Sequence, residues 1–201
     1  MPVGPIVEAL NGHVAEGKIK AFGGSNWSHE RIREANEYAA AHNLIPFAVT
    51  NPQYCLAEQR QEPWDNCVSI GGPKGEESRA WYAAAGVAVL SWSSLGAGFF
   101  SGRITRENAG DWTGGYEEQA VRCYGGPESF DRLDRVRELA TARGVEVPQI
   151  AMAFLMHQAM NVFALVGCGN RTEFASSSAA LDVSLTPSEV AYLDLKRDTP
   201  A

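Results

Sequence analysis

The feature that most constrains this chain is a rhythm of four short apolar runs, each closing on small or polar residues and each set off from the next by helical periodicity. The runs are Lys18-Ile19-Lys20-Ala21-Phe22 before Gly23-Gly24, Ile45-Pro46-Phe47-Ala48-Val49, Val87-Ala88-Val89-Leu90, and Val162-Phe163-Ala164-Leu165-Val166. The first alternates polar and apolar residues, and the later three are continuous in the manner of strands buried on both faces. Strands separated by helices lie parallel, because a parallel pair can be joined only by a long crossover.

The intervening segments carry helix signals. Ile6, Val7, Leu10 and Val14 recur at helical spacing between Pro5 and Gly17. Ser28 is placed to cap a helix through about Ala41 with Ile32, Ala35 and Ala39 on one face, and Glu76 to Ala85 reads as a helix stopped by Gly86. Phe130, Leu133, Val136 and Leu139 mark another, and Pro148 opens one that carries Ile150, Ala151, Phe154 and Leu155. The last helix has the clearest start: Thr186 and Glu189 form a capping box, Pro187 takes the first helical position, and Leu185 can staple onto Val190.

The expected fold is therefore α/β: part of a TIM-type (β/α) barrel, with about four parallel strands and flanking helices. Closing such a barrel takes eight strands, and this chain holds four. In that architecture the loops after the strands form the active face. The strand ends Gly24-Ser25-Asn26, Asn51-Pro52-Gln53-Tyr54, Ser91-Trp92-Ser93-Ser94 and Gly167-Cys168-Gly169-Asn170 then converge on one site, although turn chemistry alone also explains such residues. A sheet cut from a barrel exposes two edges and an inner face, expected here to comprise Phe47, Val49, Val87, Val89 and their neighbours.

At 201 residues the chain suits a single domain, 1–201. Seventeen Lys plus Arg against twenty-four Asp plus Glu, a net charge of −7, leave no basic run to track a phosphate backbone, which argues against nucleic acid. Cys55, Cys67, Cys123 and Cys168 are too scattered for zinc and read as reduced thiols of a cytoplasmic protein. No segment approaches the ~20 apolar residues of a membrane span, and the first residues lack the pattern of a secretory leader.

Several of these stretches match one family in order. Glu16-Gly17-Lys18 leading into Gly24-Ser25-Asn26, Asn51-Pro52-Gln53-Tyr54, the segment from Leu90-Ser91-Trp92-Ser93-Ser94-Leu95-Gly96 to Gly102-Arg103, and Val147-Pro148-Gln149 before Val166-Gly167 resemble the aldo-keto reductases. The likeness runs from about Ile6 to Leu195 and corresponds to the C-terminal half of the family's barrel, strands five to eight. Only about Glu107 to Ser129 lacks a counterpart.

The resemblance implies a nicotinamide dinucleotide, NADP ahead of NAD. Ser25, Asn26 and Asn51 fall where the family holds the nicotinamide carboxamide, with Asn51 in place of the usual Gln and one methylene shorter. Trp92 falls at the aromatic position that stacks on the nicotinamide. Ser93, Ser94, Leu95, Gly96 and Gly98 match the loop around the pyrophosphate. Gly167, Cys168, Gly169 and Arg171 match the segment that receives the adenosine 2′-phosphate, while Ser176-Ser177 replace a Glu-Asn pair that contacts adenine.

The family's catalytic Tyr, Lys, Asp and His belong to strands and loops that precede this stretch, so no catalytic residue and no metal ligand is assigned. His13, His29, His42 and His157 fall in expected helices and read as solvated surface, and Tyr54 reads as packing. Two functions follow. The first is the cofactor-holding half of an NADP-dependent reductase of small carbonyl compounds, inactive alone. The alternative is a non-catalytic half-barrel module that pairs into a homo-oligomer. The segment Pro63 to Gly72 has the aromatic and glycine content of a lid and receives no role from sequence.

Overall fold

The computed structural model describes residues 1–201. Four parallel strands, β1 (Gly23–Ser25), β2 (Val49–Asn51), β3 (Ala88–Ser91) and β4 (Val162–Ala164), form one sheet in the order β1-β2-β3-β4. Eight helices accompany them: α1 (Gly4–Ala15), α2 (His29–Ala41), α3 (Glu76–Ala85), α4 (Gly115–Tyr124), α5 (Pro127–Arg143), α6 (Val147–Met156), α7 (Arg171–Ala179) and α8 (Pro187–Leu193). The expected α/β class and partial barrel are what the chain adopts.

The helix boundaries follow their local chemistry. Ser28 Oγ accepts from Arg31 N at 3.4 Å, and Gly86 closes α3 at φ 67°, a conformation that glycine adopts without a Cβ penalty. Both bonds of the Thr186/Glu189 box form at the start of α8. A second box, Glu146 with Gln149, opens α6. Helix α4 lies in the stretch without a family counterpart and is not among the helices expected from the sequence. It is held by burial of Ala120, Cys123 and Tyr124.

The first three strands start later in the chain than their apolar runs suggest, and β4 starts with its run but ends at Ala164. Lys18 to Phe22 is not a strand; β1 is Gly23–Ser25. Ile45 to Phe47 also stays outside the ladder, because two helix amides satisfy its backbone instead, and Ala48 N–H reaches the Phe22 carbonyl at 3.0 Å. Asn11 of α1 bonds both the N–H and the carbonyl of Ile45 (2.8 and 3.1 Å), and Asn36 of α2 does the same for Phe47 (2.8 and 3.3 Å). Gly23 pairs with Val49 where a Cβ would lie 2.1 Å from the Val49 carbonyl oxygen, so only glycine fits that approach.

Alternation divides the sheet. Gly24, Thr50, Val89 and Ser91 are buried on the side covered by helices. The opposite face carries Ser25, Val49, Asn51, Ala88, Leu90 and Phe163, none of them buried. The expected composition of the open face is therefore corrected: of the four residues named, only Val49 lies there. Phe47, Val87 and Val89 are buried with the helices, because Phe47 precedes the ladder and the β3 register turns its odd-numbered residues inward. Phe163, Leu165 and Val166, at 51%, 45% and 43% exposure, make the apolar end of the open face and its rim.

Beneath the helices lie two apolar clusters. A small one joins Val3, just before α1, and Val7 of α1 to Phe22, Ile32, Ala35, Ala39 and Phe47, and a large one fills the space between β3 and α3–α6 and α8. Trp81 packs against both. No helix is long and apolar enough to cross a membrane.

Candidate cofactor site at the strand ends

At the carboxyl ends of β1, β2 and β3 the polar side chains bond to one another across the strands. Ser25 Oγ donates to Asn51 Oδ1 at 3.1 Å, and Asn51 Nδ2 donates to the Leu90 carbonyl. Asn51 thus spends one donor and one acceptor holding three strands together. A carboxamide keeps a second hydrogen and a second lone pair, so it retains one of each for a ligand.

Asn26 follows directly in a left-handed turn, φ 52°, with its N–H on the Asn51 carbonyl at 3.1 Å. Its Oδ1 accepts from Trp92 Nε1 at 3.1 Å and from Val68 N at 3.2 Å. Two N–H donors on one oxygen fix the orientation of the amide and leave Nδ2 as the group free to meet a ligand carbonyl. The indole of Trp92 is held by its edge, half-buried, on the open side of the sheet.

After Trp92 the backbone turns sharply. Ser93 has φ 50°, Ala97 has φ 54°, and Gly96 and Gly98 also lie at positive φ. The N–H groups of Ser93, Ser94 and Leu95 donate to no acceptor within the chain. Successive free amides at a left-handed turn form a concavity suited to an anion. The Ser94 side chain is occupied otherwise: it is buried, and its hydroxyl lies 2.9 Å from the Ser91 carbonyl and 3.1 Å from that of Leu165, tying β3 to β4.

The strand-four loop is set apart from this cluster by its own acid. Gly169 N donates to Glu173 Oε2 at 2.8 Å, Asn170 Nδ2 donates to Glu173 Oε1 at 3.0 Å, and Asn170 Oδ1 caps α7 through Glu173 N at 2.9 Å. Cys168 Sγ lies 3.7 Å from Ser177 Oγ, Gly167 is exposed, and Arg171 is exposed without an ion pair.

Sequence reasoning missed three contributors, and Gln53, expected only as part of a strand end, is buried in structural contacts. Gln53 is fully buried; its Oε1 accepts from Ser69 Oγ at 2.6 Å and its Nε2 donates to Cys55 Sγ at 3.2 Å. Trp64 stacks on Trp92 with ring centroids 4.8 Å apart and planes 28° apart. Tyr124 of α4 is buried with its hydroxyl near the Ser93 side chain but outside hydrogen-bond geometry, so the hydroxyl is left without a partner. Glu173 occupies donors expected to face a phosphate. A Trp in an unassigned segment and a Tyr in a stretch without a counterpart carry no signal linking them to β3.

The histidines are corrected in part. His29 is 5% exposed rather than solvated, with Nδ1 2.9 Å from Ser78 Oγ and its ring 5.9 Å from Trp81, because α2 begins against α3. His157 is exposed as expected, although its Nε2 accepts from Leu185 N at 3.1 Å. Tyr54 is buried, and that burial pushes its phenol far above the ordinary range, so it is a packing residue. No group of three or more His, Cys, Asp or Glu is arranged to hold a metal.

Comparison with known proteins bears on the family and the fold of the chain. Norsolorinic acid reductase of Emericella nidulans is 24% identical over 185 residues, 92% of this chain and 42% of that protein. An aldo/keto reductase of Klebsiella pneumoniae solved with NADP and acetate superimposes with a TM-score of 0.64 at 22% identity, over 97% of this chain and 54% of that one. One from the same organism solved with NADPH gives 0.63 at 22%, over 100% and 57%. The chain spans about half the length of the relatives it matches. The model of the aldo/keto reductase family matches residues 2–198, and the chain belongs to that family.

Proposed function

We propose that this chain is the cofactor-holding half, strands five to eight, of an NADP-dependent aldo-keto reductase, folded as one domain over 1–201 and operating in the cytoplasm. In the complete enzyme the bound nicotinamide supplies a hydride to a small aldehyde or ketone. The residues described here bind and orient. Trp92 presents a flat face for the nicotinamide ring, Asn26 Nδ2 meets the carboxamide oxygen, and Ser25 and Asn51 line the same edge. The amides from Ser93 to Leu95, with Gly96 and Gly98, receive the pyrophosphate. Gly167, Cys168, Gly169 and Arg171 border the adenosine end, with Glu173 close to where a 2′-phosphate would lie. No residue in the chain stands where the family's Tyr, Lys, Asp or His would transfer or tune a proton, so the chain alone turns nothing over.

The observation that carries this reading is the continuous stretch Trp92–Leu95, an indole held at its edge by Asn26 at 3.1 Å and followed at once by three free amides. Three successive amides without an acceptor in the chain, directly beyond an indole fixed at its edge, form the kind of concavity that suits an anion attached to a planar ring. Titration of NADPH into the chain by tryptophan fluorescence, with Trp92→Phe as control and a generic aldehyde assay in parallel, tests it. Saturable quenching lost in the control, without turnover, supports the reading. Absence of binding removes it, and turnover removes the claim of inactivity.

A second reading, a half barrel that pairs with another copy of itself, is favoured by the exposed face of Leu90, Phe163 and Leu165 and by the free edges of β1 and β4.

A further inference from the structure

The segment between β2 and α3 is fastened to the candidate site at one end and to the body at the other. Arg60 N donates to the Cys123 carbonyl at 2.8 Å. Downstream, Gln53 N donates to the Val68 carbonyl at 2.8 Å, Ile70 N donates to the Gln53 carbonyl at 2.9 Å, and Val68 N reaches Asn26 Oδ1 at 3.2 Å. Between these anchors the tip turns through Asn66 at φ 65° and carries Trp64 onto the indole of Trp92, 4.8 Å between centroids. Trp64 is 54% exposed, so the face of Trp92 that it covers is the one that opens to solvent when Trp64 leaves.

We propose that Trp64 stacks on the ligand face of Trp92, so that Gln61–Cys67 is a self-stacked lid which the nicotinamide ring must displace. The inference rests on the cofactor reading above and adds a competition to it. Trp92 has its edge committed to Asn26 and one face covered by Trp64, and an incoming ring that stacks on that face contends with Trp64 for it. The tether explains how displacement stays local: the anchors at Arg60 and at Val68–Ile70 remain bonded while the tip moves. A stacked aromatic pair is worth roughly a two- to tenfold factor in an equilibrium beyond its buried area. That is enough to weaken binding measurably and too little to prevent it.

The test has two readouts on the full chain. Two indoles at this separation couple their transitions, so the far-ultraviolet circular dichroism of the wild type should show an exciton couplet that Trp64→Phe and Trp92→Phe each abolish. NADPH is then titrated into the wild type and into Trp64→Ala, followed by the nucleotide's own emission. Because Trp64 is exposed, its removal should leave the fold's cooperative unfolding in place. The proposal expects the couplet to vanish on saturation with NADPH and Trp64→Ala to bind roughly two- to tenfold more tightly. A couplet that persists at saturation, or a Trp64→Ala variant that binds equally or more weakly, overturns the lid while the cofactor reading stands. Failure of NADPH to bind either protein overturns both.

Discussion

At the scale of single residues, the site is built from amides whose hydrogen bonds are already half committed. Asn11 and Asn36 hold backbone that the sheet leaves unpaired, Asn51 ties three strands, and Asn26 holds an indole and a loop. Tyr124 is the exception, a buried hydroxyl without a partner, and burial pushes its phenol well above the ordinary range so that it stays protonated. An unsatisfied buried hydroxyl costs about 1–3 kcal/mol, so Tyr124→Phe is expected to leave the chain as stable or up to ~1 kcal/mol more stable. A higher urea midpoint at unchanged slope would show it, and a loss of ~1 kcal/mol would reveal a partner in Ser93. The thiols divide in the same way. Burial pushes Cys55 up to about 12, which leaves it protonated and unreactive at neutral pH, whereas Cys168 is half-exposed. Native-state alkylation followed by mass spectrometry should modify Cys168 first, and NADPH should slow it if the Gly167–Gly169 loop borders the cofactor.

At the scale of elements, the helix ends follow local chemistry and the strands do not. The α8 cap depends on Glu189, whose carboxyl bonds the Thr186 N–H at 2.7 Å and the Arg143 guanidinium. Burial opposes ionisation of Glu189, but the bonds from Thr186 and Arg143 outweigh it and hold the carboxyl below its usual range. A depressed carboxylate contributes stability that is complete above its unfolded pKa and lost as pH falls through the folded one. Wild-type stability should therefore drop on acidification below about pH 4–5. Glu189→Gln should be less stable by about 1–2 kcal/mol at neutral pH, with a shallower acid limb, as measured by urea unfolding across pH. Thr186→Ala, removing the reciprocal half of the box, should cost about 1 kcal/mol.

At the scale of the whole molecule, the sheet is covered on one side only. An eight-strand barrel turns toward its interior the face that here shows Leu90, Phe163 and Leu165, and the outer edges of β1 and β4 are unpaired. Exposed apolar surface beside open edges favours association. If copies pair through this face, sedimentation of the wild type should show concentration-dependent dimers, and Phe163→Glu should shift the protein to monomer with unchanged far-ultraviolet circular dichroism. A wild type that stays monomeric at every concentration would remove the second reading.

The alternation of apolar runs and helical periodicity was enough to place this chain among parallel α/β folds, and capping chemistry set the starts of α2 and α8 and the end of α3, because each depends on neighbours within a turn of the helix. The residues Ser25, Asn26, Asn51 and Trp92 were legible as a group because strand ends of a parallel sheet converge. Tertiary structure decided the rest. Strand onset shifted because Asn11 and Asn36 compete with the ladder for backbone groups far away in the chain. The open face differed from expectation because register decides which residues of a run point inward. Trp64, Glu173 and Tyr124 reached the candidate site, and His29 its burial, through contacts with partners that no local pattern encodes.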